Sequence, residues 1–327
     1  MGESVSSLQV QAPGLLTTVQ DLGRQGFGPL GVSPSGAADP ISLRLGNRLV
    51  ANKEGAPGLE MMLLGGTFVF PEGAIVALMG SDFGATLDDV TLNVGTSVEV
   101  GPGQTVRLGP TSSGARCYLC VHGGISVRPF LGSASTHILS GLGGFEGRPL
   151  RKGDVVRMGS LTKLFRKRTI APEVSEHLSG RKVLRVTAGP QADWFSESSV
   201  RSFYASTYRI GEQSNRMGLR IEGGPGLERG IEGAAVSHRG ASQMITEGVS
   251  LGAIQVPTAG SPIILFVEQQ TTGGYPKIAN VISADLHRVG QLRPRDEIRF
   301  EQVTFDTARS LLMEQEKLLS SKELILE

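Results

Sequence analysis

Residues 252–276 read GAIQVPTAGSPIILFVEQQTTGGYP, in which two β-branched runs flank a turn rich in proline and glycine. Runs of this kind between turn residues indicate β-strands joined by short connections. Residues 103–126, GQTVRLGPTSSGARCYLCVHGGIS, repeat the order of strand, Pro-Thr turn, strand and paired glycines. The two segments therefore predict similar pairs of strands in both halves of the chain.

A second pair of matching segments closes each half. LRKGDVVRM at residues 150–158 and LRPRDEIRF at residues 292–300 share Leu, Arg, Asp and Arg at identical spacing. Two correspondences in the same order predict a tandem duplication of one β-barrel-like domain. We expect an N-terminal domain at 7–160, a basic linker at 161–182, a C-terminal domain at 183–303 and a C-terminal helix at 304–327.

Short β-branched segments bounded by turn residues recur along the chain, which is typical of antiparallel barrels or sandwiches. Three helices are expected to interrupt them. Asp39 and Pro40 form an N-cap and first-turn pair for a helix running to about Ala51. A second helix is expected near 192–204, and a third where apolar residues recur at helical spacing from 305 to 319. The expected strands include Thr67–Phe70, Ile75–Met79, Ser97–Val100, Thr105–Leu108, Cys117–His122, Val183–Thr187, Ala253–Val256 and Ile263–Glu268.

The composition excludes several classes of protein. The chain has 327 residues and a formal net charge of +1, so it carries no overall field that would attract a nucleic acid. Its 45 glycines follow no Gly-X-Y period, which excludes collagen and favours many turns. Two cysteines cannot build a disulfide framework, and no apolar run reaches the length of a membrane helix. We therefore expect a cytoplasmic protein that binds neither nucleic acid nor membranes.

Familiar cofactor and metal motifs are absent from the sequence. There is no G-x-x-x-x-G-K-[ST] phosphate loop, and GLGGFEG at residues 141–147 lacks the G-x-G-x-x-G spacing. Cys117 and Cys120 are three positions apart on an expected strand, so they point to opposite faces and burial is favoured over a redox pair. The five histidines are dispersed along the chain, and no metal site is expected.

The first candidate functional segment is TTVQDLGRQG at residues 17–26, which continues into GVSPSGAADP at 31–40. It places Arg24 and Ser35 shortly before the capped helix, where hydroxyl and backbone N–H groups can hold a small anion. The alternative is a turn-rich connection capped by Asp39, and the sequence leaves both open.

Two further polar segments lie in the second half. FVEQQTTGGYPK, residues 266–277, leaves an apolar strand and presents amide-recognising groups, two glycines and a lysine suited to a negative charge. QSNRMGLR, residues 213–220, has Asn and Arg suited to amide and carboxylate groups, with a solvated loop as the alternative. The candidate residues of these segments are Asn215, Arg216, Gln270, Thr271, Thr272, Tyr275 and Lys277.

Four segments carry a resemblance to a known family: GLLTTVQDLGRQGFGPLGVSPSGAADP, SNRMGLRIEG, EGVSLGAIQVP and QTTGGYPKIANVISADLHRVGQLRPRD. Over residues 8–300 the chain resembles the biotin-dependent carboxyltransferases, a family that includes KipA, the C subunit of 5-oxoprolinase, the second subunit of allophanate hydrolase and the carboxyltransferase domain of urea carboxylase. The resemblance implies a mainly β fold of two tandem cyclophilin-like β-barrel domains with a few short helices and a C-terminal helix. The sequence departs from the family pattern at Ser33, Ala38 and Arg295, where the family usually has Pro, often Met and usually Gly.

The resemblance also implies a function. The sequence contains no A-M-K-M-like biotin acceptor and no ATP-grasp region, so no covalent biotin is expected on this chain. A stand-alone chain of this length resembles the C subunit of 5-oxoprolinase, which works with an A subunit plus a KipI-like B subunit to convert 5-oxoproline to L-glutamate with ATP. The alternatives are a biotin-dependent carboxyltransferase component that uses urea or a similar amide, and a KipA-type regulator that binds a KipI-like kinase inhibitor. If the chain is part of an enzyme, the nine candidates from Arg24 to Lys277 hold the substrate's amide and carboxylate, and the catalytic residue stays unassigned.

Overall fold

The computed structural model describes residues 6–159, 166–172, 174, 182–228, 244–257 and 261–327. The chain divides into two compact units. The N-terminal unit comprises Met1–Arg24, Ser35–Leu178 and Leu318–Glu327, and the C-terminal unit comprises Gln25–Pro34 and Ser179–Lys317.

Most of the regular structure of the described residues is β-strand. The strands are β1 (Ser7–Ala12), β2 (Thr17–Gln20), β3 (Gly58–Met62), β4 (Thr67–Val69), β5 (Ala74–Gly80), β6 (Thr86–Leu87), β7 (Val90–Thr91), β8 (Ser97–Val100), β9 (Thr105–Arg107), β10 (Arg116–Val121), β11 (Val155–Arg157), β12 (Thr169–Ile170), β13 (Val183–Ala188), β14 (Tyr208–Ile210), β15 (Gly218–Glu222), β16 (Glu247–Gly248), β17 (Ala253–Gln255), β18 (Ile263–Leu265), β19 (Thr272–Gly273), β20 (Lys277–Val281), β21 (Glu297–Gln302) and β22 (Ile325–Leu326). The α-helices are α1 (Pro40–Leu49), α2 (Glu197–Ala205), α3 (Leu286–Gly290) and α4 (Phe305–Ser320).

The N-terminal unit is built from two main sheets that share one core. One sheet has the order β11-β1-β4-β9-β6-β7 and the other β2-β3-β10-β5-β8. Their inward residues, such as Val10 and Phe68 from the first and Leu78 and Leu119 from the second, are buried in one hydrophobic cluster. Alternation along each strand explains this arrangement, because successive side chains point to opposite faces of a sheet.

Helix α1 covers the outer face of the second sheet in this unit. The Asp39 carboxylate accepts from the Ser42 backbone N–H at 3.0 Å, and Pro40 opens the first turn, which confirms the predicted start. Close packing against β10 requires a glycine at position 46, because a Cβ there would lie 2.7 Å from the Cys120 Sγ. Cys117 and Cys120 are both buried free thiols, as predicted.

Seven strands of the C-terminal unit close into a barrel in the order β13-β20-β17-β18-β15-β14-β21. The ring is completed by a parallel pair, in which Val183 of β13 lies opposite Arg299 of β21. The two-stranded β16-β19 sheet completes the β-structure described for this unit. The mainly β fold predicted from the sequence is thereby confirmed.

Three segments depart from the expected elements. The helix expected at 192–204 is divided into two elements, a 3₁₀ turn at Ala192–Trp194 and helix α2. The extended backbone of Phe195 ends the 3₁₀ turn, and the Ser196 side chain caps the N-terminus of α2. Helix α3 was not expected, because a helix of five residues is too short to show a helical period in the sequence. Within the expected linker, most of which lies outside the described residues, β12 forms and pairs with β22 of the C-terminal segment.

The repeated closing motif adopts the same turn in both units. The Arg151 N–H donates to the Asp154 carboxylate at 2.7 Å, and the Arg293 N–H donates to the Asp296 carboxylate at 2.9 Å. The position before each Asp has a left-handed backbone, with φ +90° at Gly153 and +72° at Arg295. This conformation explains why glycine suits the position and why an arginine there is strained.

The other sequence correspondence does not extend to strand pairing. In the C-terminal unit β17 and β18 are hydrogen-bonded neighbours, as their sequence predicts. Their counterparts β9 and β10 lie in different sheets of the N-terminal unit. Similar local sequence therefore produces similar strands here without the same partners.

Candidate functional site

Arg24 and Ser35 are buried in the N-terminal unit and bind the same short backbone segment. The Arg24 guanidinium donates to the Ser135 carbonyl, and the Ser35 hydroxyl donates to the Thr136 carbonyl at 2.7 Å. Arg24 is 2% exposed and Ser35 is 5% exposed. Both predicted residues thus hold residues 135–136 in place.

Asp21 anchors the same segment from the other side. Its carboxylate accepts hydrogen bonds from the Ser133 hydroxyl at 2.7 Å, the Ala134 N–H at 2.6 Å and the Ser135 hydroxyl at 2.5 Å. A fourth donor, the Gly23 N–H, lies at 2.8 Å from the same group. A buried carboxylate with four donors is well compensated, so the polar TTVQDLGRQG segment supports a rigid loop.

Lys277 lies in the C-terminal unit, at the start of β20, and forms an ion pair with Glu247 of β16. The lysine side chain is 5% exposed and the glutamate side chain is 45% exposed. Gln191 joins both residues: its Nε2 donates to the Glu247 carboxylate at 3.0 Å, and its Oε1 accepts from the Lys277 N–H at 3.1 Å. Lys277 lowers the pKa of Glu247, chiefly through the side-chain hydrogen bond, so the carboxylate stays ionised.

Two glutamines, one on a barrel strand and one in a loop, lie next to the group formed by Lys277, Glu247 and Gln191. Gln255 of β17 lies directly opposite Lys277 of β20 in the strand register, and it is 1% exposed. Gln270, which is exposed, donates through Nε2 to the Gln255 Oε1 at 3.2 Å. The Gln255 Nε2 has no hydrogen-bond partner among the described residues. We call Gln191, Glu247, Gln255, Gln270 and Lys277 the amide cluster.

Glycine at position 273 lets the backbone approach this cluster closely. A Cβ at Gly273 would lie 2.5 Å from the Gln255 Nε2, so no larger residue fits without moving that amide. The remaining loop candidates surround it in sequence: Thr271 is half-buried, Thr272 is exposed and pairs with Gly248 in the β16-β19 sheet, and Tyr275 is 40% exposed. The loop therefore combines buried amide groups with accessible hydroxyls.

Asn215 and Arg216 make different contacts from those of the amide cluster. The Asn215 side chain accepts from the Met217 N–H at 2.8 Å and so closes its own turn. Arg216 forms an ion pair with Glu268, and both side chains are at most 5% exposed. In the described structure these two candidates stabilise a turn and a buried strand end.

The amide cluster can recognise a small planar amide. A glutamine amide supplies both a donor and an acceptor, and an amide substrate needs one of each. A buried donor without a partner costs about 1–3 kcal/mol, which a ligand carbonyl would recover. The lysine ammonium has three N–H donors, so pairing with one carboxylate oxygen of Glu247 leaves donors for a ligand.

Of the amide cluster, Gln270 and Lys277 were expected from the sequence, whereas Gln191, Glu247 and Gln255 were not. Gln255 lies within the GAIQVP segment and carried a signal, a polar residue in a run that is otherwise apolar. Gln191 and Glu247 gave no comparable signal, because each is distant along the chain from the loop it contacts.

The structure also bears on metal binding and membrane insertion. Within the described ranges, no three His, Cys, Asp or Glu side chains are grouped so that they could hold a metal ion. His177 and His238 lie outside those ranges. Among the described helices, none has both the length and the apolar character needed to span a membrane.

Comparisons with known proteins extend the geometry. The family described as "Carboxyltransferase domain, subdomain A and B" matches residues 30–302. The chain is 37% identical to the C subunit of 5-oxoprolinase from Escherichia coli (strain K12), over 95% of this chain and 96% of that protein. It is 34% identical to the urea amidolyase of Saccharomyces cerevisiae, over 97% of this chain but only 18% of that protein.

A solved structure agrees with these sequence matches. The crystal structure of the K. lactis urea amidolyase superposes with a TM-score of 0.87 and 31% identity, covering 100% of this chain and 21% of that chain. The match supports the mainly β fold and the family resemblance inferred from the sequence segments. The chain is therefore a member of the carboxyltransferase domain family, with its subdomains A and B.

Proposed function

We propose that this chain is the C subunit of an ATP-dependent 5-oxoprolinase assembly that converts 5-oxoproline to L-glutamate. The observation that most supports the proposal is the extent of the sequence match: the match to the E. coli C subunit spans nearly all of both chains. The match to the yeast urea amidolyase spans nearly all of this chain but a small part of that larger protein. Of these two relatives, the C subunit is therefore the one that this chain matches over almost its whole length.

The amide cluster suits this substrate. 5-Oxoproline carries a lactam, whose carbonyl accepts and whose N–H donates a hydrogen bond. In the proposal, the Gln255 Nε2 donates to the lactam carbonyl, and Gln270 holds the other end of the Gln255 amide. Lys277 lies beside them, directly opposite Gln255, and directs its remaining donors toward the substrate.

The proposal assigns activation of the lactam to the assembly. We expect the A subunit of 5-oxoprolinase together with a KipI-like B subunit as partners, with ATP consumed by the complex. Water attack on a resonance-stabilised lactam requires activation, and this chain's part in it is to bind and orient the amide. Arg24 and Ser35 have a structural role in the N-terminal unit, where they fix the Ser135–Thr136 backbone.

A carboxyltransferase component that uses urea or a similar amide is the second candidate. The close superposition on the K. lactis urea amidolyase favours it, and urea presents the same donor and acceptor groups as a lactam. In the third alternative, the KipA-type regulatory role, the chain binds the KipI-like partner without any turnover of substrate.

The test is to co-express this chain with the KipI-like and A-subunit proteins of the same genome, and to assay ATP-dependent glutamate release from 5-oxoproline. The proposal expects release only when all three chains are present. A tight complex with the KipI-like chain but no release would favour the regulatory role. Carboxylation of urea by an added carboxybiotin carrier, without oxoprolinase activity, would favour the second candidate.

Two substitutions separate enzyme from binding protein within that assembly. Thr272→Ala changes an exposed hydroxyl and should leave assembly intact, whereas Lys277→Ala removes a buried cation. The proposal expects both variants to bind their partners and to lose most of the turnover. Full turnover by both would refute the placement of the substrate at this loop.

A further inference from the structure

The N-terminal unit has a groove that the proposed function does not use. It has a volume of about 630 Å³ and is lined by residues 126–131 and 143–146 and by Val155 and Arg157 of β11. Leu131 is 38% exposed and Val155 is 53% exposed, so the groove is open along its length. Pockets for small molecules usually enclose most of their ligand, so an open groove fits an extended chain better.

One side of the groove is a sheet edge that is open at one position, Val155. Strand β11 is the outermost strand of its sheet and pairs with β1, and an antiparallel bridge between Ile125 and Met158 covers the end of its outer edge. The Met158 N–H and the Asp154 carbonyl bond toward β1, so the backbone groups of the alternating residues Val155 and Arg157 point outward. The Arg157 carbonyl accepts from the Ser126 N–H, whereas no described backbone group bonds to Val155 on that side.

The charge of the groove is positive. Arg128 and Arg157 are exposed, and no described residue forms an ion pair with either of them. The acidic lining residue, Glu146, is engaged by Arg148 at 2.7 Å, and Arg148 also binds Asp154 at 2.8 Å. Two free guanidinium groups therefore remain to receive carboxylates.

The apolar wall is held rigidly. The Arg24 guanidinium lies 5.6 Å from the centroid of the Phe130 ring. The guanidinium is itself held in place because it donates a hydrogen bond to the Ser135 carbonyl. Gly143 and Gly144 permit the facing loop to approach, because a Cβ on either would collide with residue 135 or 136. Phe145 packs against the core of the unit from that loop.

We propose that this groove binds an extended, acidic segment of a partner protein, which pairs with the edge of β11 at its open position. The main chain of the segment pairs with Val155, an apolar side chain lies between Phe130 and Phe145, and flanking carboxylates bind Arg128 and Arg157. Addition of a strand to an exposed sheet edge supplies affinity through the backbone, and the pockets beside it supply specificity. The proposal does not depend on the oxoprolinase activity.

The test uses the full chain and a synthetic peptide of alternating Glu and Leu, acetylated and amidated at its ends, with a Lys-and-Leu peptide as the charge control. Binding is followed by fluorescence anisotropy and by amide chemical shifts of the deuterated, ¹⁵N-labelled chain. The proposal expects the acidic peptide to shift the Val155 amide, and Arg128→Glu with Arg157→Glu to weaken binding at least tenfold. Arg107→Glu, an exposed arginine of β9 outside the groove, should leave the affinity unchanged.

Three results would overturn the proposal. One is the absence of Val155 shifts at millimolar acidic peptide, with the wild-type chain folded. Another is equal binding by the double variant and the Arg107→Glu control, which would place the peptide elsewhere. If the acidic and basic peptides bind alike, the two arginines do not recognise carboxylates and the proposal also fails.

Discussion

The ion pair in the amide cluster makes an asymmetric prediction about stability. Glu247→Gln leaves the Lys277 ammonium buried without its carboxylate, whereas Lys277→Met leaves Glu247 half-exposed to water and still bonded to Gln191. Exposed pairs contribute up to about 1 kcal/mol, and breaking a buried pair costs about 3–5 kcal/mol. With one partner buried and the other half-exposed, we expect Glu247→Gln to lower the free energy of unfolding by about 2 kcal/mol.

Lys277→Met should cost about 1 kcal/mol or less, because the carboxylate it leaves can hydrate and the methionine fills most of the space. Urea unfolding followed by tryptophan fluorescence measures both free energies. The probe reports on the unit that contains the ion pair, because Trp194 is the single tryptophan and lies in the C-terminal unit. For a slope near 2 kcal/mol per molar, Glu247→Gln shifts the midpoint by about 1 M.

The pH dependence gives an independent check on the same pair. Lys277 lowers the pKa of Glu247, so the contribution of the pair is complete above the ordinary glutamate pKa, about 4.3, and is lost as the pH falls through the depressed value. The difference between wild type and Glu247→Gln should therefore shrink in acid. Equal costs for the two variants, or a larger cost for Lys277→Met, would refute the buried-ammonium reasoning.

Three further changes test a turn, a helix cap and the cysteines. Arg295→Gly should raise the calorimetric stability by about 0.5 kcal/mol because it relieves a left-handed arginine, whereas Gly153→Ala at the matching position should lower it by about 1 kcal/mol; the reverse order would contradict this account. Asp39→Ala should cost about 1 kcal/mol through loss of the α1 cap, and an unchanged melting temperature would count against it. Burial raises the pKa of Cys117 and raises that of Cys120 to about 12, so a thiol reagent should label them only in denaturant; labelling of the native chain would show that they are accessible.

Local sequence predicted the elements whose geometry is set by neighbouring residues. Asp39 and Pro40 begin α1 because a side-chain cap and a fixed φ act within one turn. The Asp154 and Asp296 turns match because each aspartate bonds a backbone three residues earlier. Such features can be predicted from a short stretch of sequence.

Contacts between distant segments could not be predicted in this way. The parallel β13-β21 pair that closes the barrel joins residues more than a hundred positions apart, and no local pattern specifies it. The sequence presents Arg216 as a loop residue because its partner Glu268 lies far along the chain on the end of an apolar strand. Gln255 joins Lys277 only through strand register, and register depends on the whole barrel.

The most direct measurement is the catalytic efficiency of the three-chain assembly when this chain carries Gln255→Leu. The substitution removes the buried amide whose Nε2 has no described partner, and the control Gln315→Leu removes another buried glutamine of the same unit, which bonds the Ala284 carbonyl. We predict that Gln255→Leu lowers kcat/KM for 5-oxoproline by about a hundredfold, equivalent to about 2.7 kcal/mol. The variant should still assemble with its partners, and its urea midpoint followed by Trp194 fluorescence should be close to that of the control. Efficiency equal to that of Gln315→Leu would contradict the assignment of the amide cluster to the substrate.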